Sequence, residues 1–321
     1  MKRSVPWILK RPRLAARLGG ALCVLVATSG WLAAQAFVPG TGQRSTKVSD
    51  DFEDPKWSYV FHLPKGSFEN DKQQRLPSGA AANGRWFEGA LRGQPDVIQR
   101  VATPEGGLAG SSGSLLMQSR HTGVPGSSSF TVQQDDLIAN VAQKEGRSIP
   151  VSWSPSVVVR VYLPPWDQWE NRTGGTFGFR ASCQTHKTSS TGRWGRSANK
   201  PESYWPGLFI QFIKGDGRAT QDSARILLRA GPQGQDLAGP QIKNSGWWTL
   251  GMSFSPDGQV HYYAHEGVDD LTAKDHLTSQ YPYGFHCEQL DTYFFDIVNG
   301  DNGNQSTPWI VDDASLYYTH R

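Results

Sequence analysis

The sequence predicts an all-β chain: two antiparallel sheets packed face to face, with one or two short helices. Three observations carry this. Apolar and polar residues alternate with a period of two through many short runs. Glycine, 35 of 321 residues, stands in the turns between them. No block recurs at a fixed spacing, which argues against propellers and solenoids.

The chain opens on a different pattern. Lys2, Arg3, Lys10, Arg11, Arg13 and Arg17 make a basic start, and Leu18 to Ala33 is an apolar stretch. Ala34-Gln35-Ala36 then supplies the small-x-small pattern of signal-peptide cleavage. Residues 1–36 therefore read as an export signal; the alternative is an uncleaved anchor, since the apolar stretch is nearly long enough to span a bilayer. Without the six basic residues, the body carries 26 basic against 29 acidic side chains, net −3. The basic balance of the whole chain belongs to the signal and gives no support for nucleic-acid binding. The body is expected outside the cytoplasm: periplasmic, at the cell surface or extracellular. Cys183 and Cys287 are the cysteines that remain, and in an oxidising compartment they would pair; two buried thiols are the alternative.

Residues 37–49 read as a polar linker and 50–321 as one folded domain. Gln133 to Lys144 is the best helix candidate, with Asp135 or Asp136 as its cap and Leu137, Ile138, Val141 and Ala142 as its apolar stripe. Strands follow. Val157, Val159, Val161 and Leu163 share one face. Phe177, Phe179 and Ala181 share another, as do Leu208, Ile210 and Phe212. The clearest unit is a hairpin in which Trp248 to Phe254 and Val260 to His265 alternate about the turn Pro256-Asp257-Gly258. Tyr293 to Val298 and Trp309 to Tyr318 close the chain as strands.

Several segments resemble the concanavalin A-like lectin/glucanase superfamily of jelly-roll sandwiches: Asp51 to Pro55 with Trp57, Gly110 to Leu116, the hairpin around Asp257-Gly258, and Ile310 to Tyr317. The resemblance implies a jelly roll that meets extracellular polysaccharide or glycoconjugate. It also implies a structural calcium ion joining the chain ends, held by Glu53, the Gly113 carbonyl and Asp312 or Asp313. Carboxylates and carbonyls are the hard oxygens calcium prefers, although paired aspartates also occur at plain strand ends.

The superfamily's hydrolases carry Glu-x-Asp-x-x-Glu on one strand, and no such motif occurs here. Its polysaccharide lyases neutralise a carboxylate with Arg or Gln and move a proton with Tyr or His, for which Arg160, Gln211, His261 and Tyr263 are the candidates. A non-catalytic binding domain would instead use aromatic rings beside polar groups. Trp166, Trp169, Trp194 and Trp205 lie in polar loops and are candidate sugar contacts, with packing at the sandwich ends as the alternative. A carbohydrate-binding domain is the expected function, a polysaccharide lyase the second reading, and a cell-surface adhesion domain the third.

Overall fold

Strand alternation places two apolar faces against each other, and the chain forms a two-sheet antiparallel sandwich around them. The computed structural model describes residues 37–319 apart from 67, 69–71, 74, 77–78, 125, 128–130, 190–197, 217–219 and 303. The expected export signal and Trp194 lie outside the described residues. The smaller sheet runs in the order His276–Gln280, Val260–Glu266, Gly246–Phe254, Ser156–Leu163, Trp309–Tyr318, Ser114–Gln118, Val97–Val101, with Gln43–Arg44 added beside Trp309–Tyr318. The larger runs Asp236–Ile242, Ser223–Arg229, Gly207–Ile213, Gly174–Ser189, Gln289–Asn299, Gln133–Ala139, Trp86–Glu88, Ala80–Ala81, Tyr59–Val60.

The core is made of the residues whose alternation pointed inward. Val157, Val159, Val161 and Leu163 of the smaller sheet are buried in one cluster with Phe177, Phe179, Phe295 and Leu137 of the larger. Period two serves here because each sheet buries one face. In the hairpin, Met252 stands opposite Tyr262, and Gly258 takes a left-handed φ of 85° that a side chain would resist.

Two segments differ from the sequence reading. Residues 37–49, read as a linker, lie along the smaller sheet: Gln43 and Arg44 pair with Tyr318 and Tyr317, and Val48 is fully buried. Gln133 to Ala139, read as the start of a helix, is a strand, and the helix is confined to Val141–Glu145. The same residues fit both periods. The strand is selected because Leu137 and Ala139 enter the core while Phe294 to Asn299 pair along the whole segment.

The expected Cys183–Cys287 disulfide is absent; both are buried free thiols. They are neighbours, and burial, with Cys287 adding to it, pushes the Cys183 thiol well above its ordinary value. Cys287 Sγ is directed instead to the Gln289 carbonyl at 3.4 Å.

Candidate functional site

The outward residues of the larger sheet include charges that a strand does not ordinarily bury. Across four adjacent strands, Phe209, Gly178, Asp296 and Asp136 stand directly opposite one another. Phe177, Phe295 and Leu137 beside them point into the core, so this row faces out. Gly178 is what admits the row: a Cβ there would lie 2.8 Å from Asp296 Oδ2 and 2.9 Å from the Phe209 ring.

Two guanidinium groups answer the two carboxyls. Arg180 Nη1 lies 3.3 Å from Asp296 Oδ2, its Nη2 donates to the Trp205 carbonyl at 3.0 Å, and its plane lies over the Phe209 and Phe294 rings. Arg92 Nη1 lies 3.6 Å from Asp136 Oδ2 and 4.0 Å from Asp296 Oδ1. Burial, then the adjacent Asp296 charge, raises the Asp136 carboxyl well above the usual carboxylate range. Neither Asp136 Oδ1 nor Asp296 Oδ1 has a hydrogen-bond partner among the described residues.

A depression of about 310 Å³ opens over this network, lined by Leu91, Arg92, Asp136, Ser182, Trp205 and Phe294 among others. Trp205 forms its rim and is 40% exposed. The floor thus presents carboxyl oxygens, guanidinium N–H groups and hydroxyls beside the exposed Trp205 indole. Such a surface offers donors and acceptors together with a ring for stacking.

The expected sugar-binding tryptophans separate. Trp205 lines the depression. Trp169 is a correction: it is 6% exposed, donates Nε1–H to the Pro164 carbonyl at 2.8 Å and packs on Phe212 and Trp309. Trp166 is half-buried, packed on Trp169 and Phe212 at the same core end.

The four lyase candidates form no common site. Gln211 stands on the larger sheet, whereas Arg160, His261 and Tyr263 stand on the smaller. Arg160 is occupied by Asp313 at 2.6 Å and Asp270 at 2.5 Å. Tyr263 is buried among Val158 and Leu271.

The proposed calcium ligands do converge, with one exception. Ser111 Oγ lies 2.8 Å from Glu53 Oε1, 2.8 Å from Asp312 Oδ2, 3.4 Å from the Gly113 carbonyl and 2.7 Å from Thr103 Oγ1. One hydroxyl proton cannot serve the three acceptors among them. Against the cost of burial, hydrogen bonds from Ser112, Ser111 and two backbone amides hold Glu53 down at about 2. Burial, with the Asp313 and Glu53 charges, raises Asp312 to about 6 despite the Ser111 bond. Asp313 is the exception: it turns away, in a left-handed φ of 44°, to pair with Arg44 at 2.7 Å and Arg160 at 2.6 Å. The donor set of two carboxylates, a carbonyl and two hydroxyls suits a hard cation.

No family model and no curated protein matches the chain. Among solved structures, a carbohydrate esterase of the Shiga toxin-encoding bacteriophage phi24B matches at TM-score 0.45 and 10% identity, covering 87% of this chain and 100% of that one. The carbohydrate recognition domain of Emp47p matches at TM-score 0.37 and 10% identity over 87% and 98% of the two chains. An alginate lyase of Pseudomonas aeruginosa matches at TM-score 0.37 and 13% identity over 71% and 87%. Likenesses this distant carry no argument about chemistry.

Proposed function

We propose that this chain is an exported carbohydrate-binding jelly-roll domain that holds a glycan on the outer face of its larger sheet. The observation that carries the reading is the exposed indole of Trp205 beside Asp136 and Arg92 at one depression. A sugar ring has an apolar face of C–H groups and a rim of hydroxyls that both donate and accept. The indole matches the face. The carboxyl oxygens accept from those hydroxyls and the guanidinium donates to them. Export is supported by the basic, apolar and small-x-small segments of residues 1–36. A calcium ion held by Glu53, Asp312 and the Gly113 carbonyl belongs to the same proposal, as a brace between chain ends that are some 260 residues apart (Glu53 to Asp312).

The test is retention in native gels cast with soluble polysaccharides, neutral and acidic. Wild-type protein is expected to be retarded by at least one of them. Ser182→Trp, which places an indole in the depression, is expected to run through the same gel unretarded while keeping its circular dichroism. Retention undiminished by that substitution would remove the depression from the binding surface.

A further inference from the structure

The smaller sheet carries a second polar network, on the strands Val260–Glu266 and His276–Gln280 and the turn before them. His261 Nδ1 lies 2.6 Å from Ser279 Oγ, and His261 Nε2 lies 2.9 Å from Ser255 Oγ. Ser255 Oγ in turn donates to Asp257 Oδ1. His276 Nε2 reaches Ser279 Oγ at 2.8 Å.

Proton accounting fixes the direction of every bond in this chain. An ionised carboxylate only accepts, so the Ser255 hydroxyl donates to Asp257. Against the cost of burial, that bond and the Gln259 amide hold Asp257 below its usual range, which keeps it ionised. Ser255 Oγ must then accept, and His261 Nε2 carries the proton. Burial lowers the affinity of His261 for a second proton, so its Nδ1 keeps a lone pair. Ser279 therefore donates its hydroxyl proton to His261 Nδ1, and His276 Nε2–H donates to Ser279 Oγ. The result is a hydroxyl whose proton is already held by a neutral imidazole, itself fixed in one tautomer from behind. Nucleophile, base and orienting groups are in that order in activated serines generally.

We infer that Ser279 is a nucleophilic serine, with His261 as its base, for transfer of a small acyl group from an ester. His276–Gln280 is an edge strand of the smaller sheet, and all five of its residues are half-buried, whereas His261 behind Ser279 is buried. In the reaction, Ser279 Oγ attacks the acyl carbon and its proton passes to His261 Nδ1. The bond to the alcohol breaks, and that proton leaves with the alkoxide. Water then attacks the acyl-serine and gives a proton to His261 Nδ1; the acyl–Oγ bond breaks, the carboxylic acid leaves, and His261 returns the proton to Ser279 Oγ. His276 Nε2–H stands beside the attacking oxygen throughout. Ser255 and Asp257 are positioning residues: they hold the tautomer and touch no substrate. This site is separate from the larger sheet's depression and does not depend on the carbohydrate reading.

The experiment exposes the purified full chain to a fluorophosphonate, maps the adduct by peptide mass spectrometry, and follows 4-nitrophenyl acetate hydrolysis. One adduct is expected, on Ser279, and it disappears with the hydrolysis in Ser279→Ala. Ser255→Ala is expected to stay folded, to label at least tenfold more slowly, and to shift the His261 ring ¹⁵N resonances away from the Nε2–H tautomer. A folded wild type that takes no label at Ser279, or a Ser279→Ala variant that hydrolyses the ester as fast, overturns the assignment. Unchanged labelling and an unchanged His261 tautomer in Ser255→Ala would overturn the relay behind it.

Discussion

Trp205 and Trp169 are both loop tryptophans in sequence, and the structure gives them opposite fates that mutation to alanine separates. Trp205 leaves 40% of its surface open at the depression. A tryptophan side chain buries roughly 150–250 Å² when fully covered, so a sugar lying on the open part would cover about 60–100 Å². At about 25 cal/mol per Å², that burial contributes roughly 1.5–2.5 kcal/mol. Since about 1.4 kcal/mol is a factor of ten, Trp205→Ala should weaken glycan binding by roughly tenfold to sixtyfold. It should move the unfolding midpoint in urea less than Trp169→Ala does, because Trp205 is far less enclosed by protein. Trp169 is 6% exposed and wedged between Phe212 and Trp309, so its truncation leaves a cavity. That costs about 3–5 kcal/mol of stability. The assay is titration of a retained polysaccharide by calorimetry, paired with urea denaturation of both variants. Wild-type affinity in Trp205→Ala would refute the stacking argument, and a stable Trp169→Ala would refute the packing one.

The chain ends and the buried charges yield two more tests. Asp312 is raised to about 6 in the folded protein, above its unfolded value, so its contribution is fully present below about pH 4 and is lost as pH rises through 6. Calcium competes with that proton: at pH 7 saturating calcium should restore stability by about 2.7 kcal/mol at a hundredfold excess over its Kd. The corresponding rise in Tm over an EDTA control is about 5 °C for a domain of this size. Asp312→Asn should abolish both the calcium response and the pH step, and a Tm indifferent to calcium in the wild type would sink the brace. Lys65 is 1% exposed, with Nζ 2.8 Å from Asp135, 3.1 Å from Asp96 and 2.8 Å from the His121 carbonyl. Lys65→Met should cost about 3–5 kcal/mol at neutral pH by leaving Asp135 buried and uncompensated. Burial already places Asp135 at about 6 even with Lys65 beside it, so the deficit should shrink on acidification as that carboxyl is protonated. Adding Asp135→Asn should recover part of it, which urea denaturation across pH would read.

The strands were legible wherever one face met the core and the other did not. The hairpin of Trp248 to His265 shows this: its inward residues Leu250, Met252, Val260 and Tyr262 are all fully buried. Period two reports which face a residue takes, but not which sheet its strand joins. Arg160, Gln211, His261 and Tyr263 all stand outward in sequence, yet Gln211 is carried by the opposite sheet because pairing between distant strands sets that choice. The same ambiguity hid the depression. Asp136 lies in a stretch whose apolar spacing also suits a helix, and as a helix cap it would have needed no partner. A signal was available in the strands themselves. Asp296 interrupts Phe294-Phe295-Asp296-Ile297-Val298, and Arg180 ends Phe177-Gly178-Phe179. A charge inside an apolar strand must find a counter-charge or stay neutral. Two such strands, one acidic and one basic, are therefore expected to be neighbours, and Phe294 indeed stands opposite Arg180. That register sets Asp296 opposite Gly178, and the missing side chain of Gly178 leaves the space into which Asp296 and Phe209 both turn.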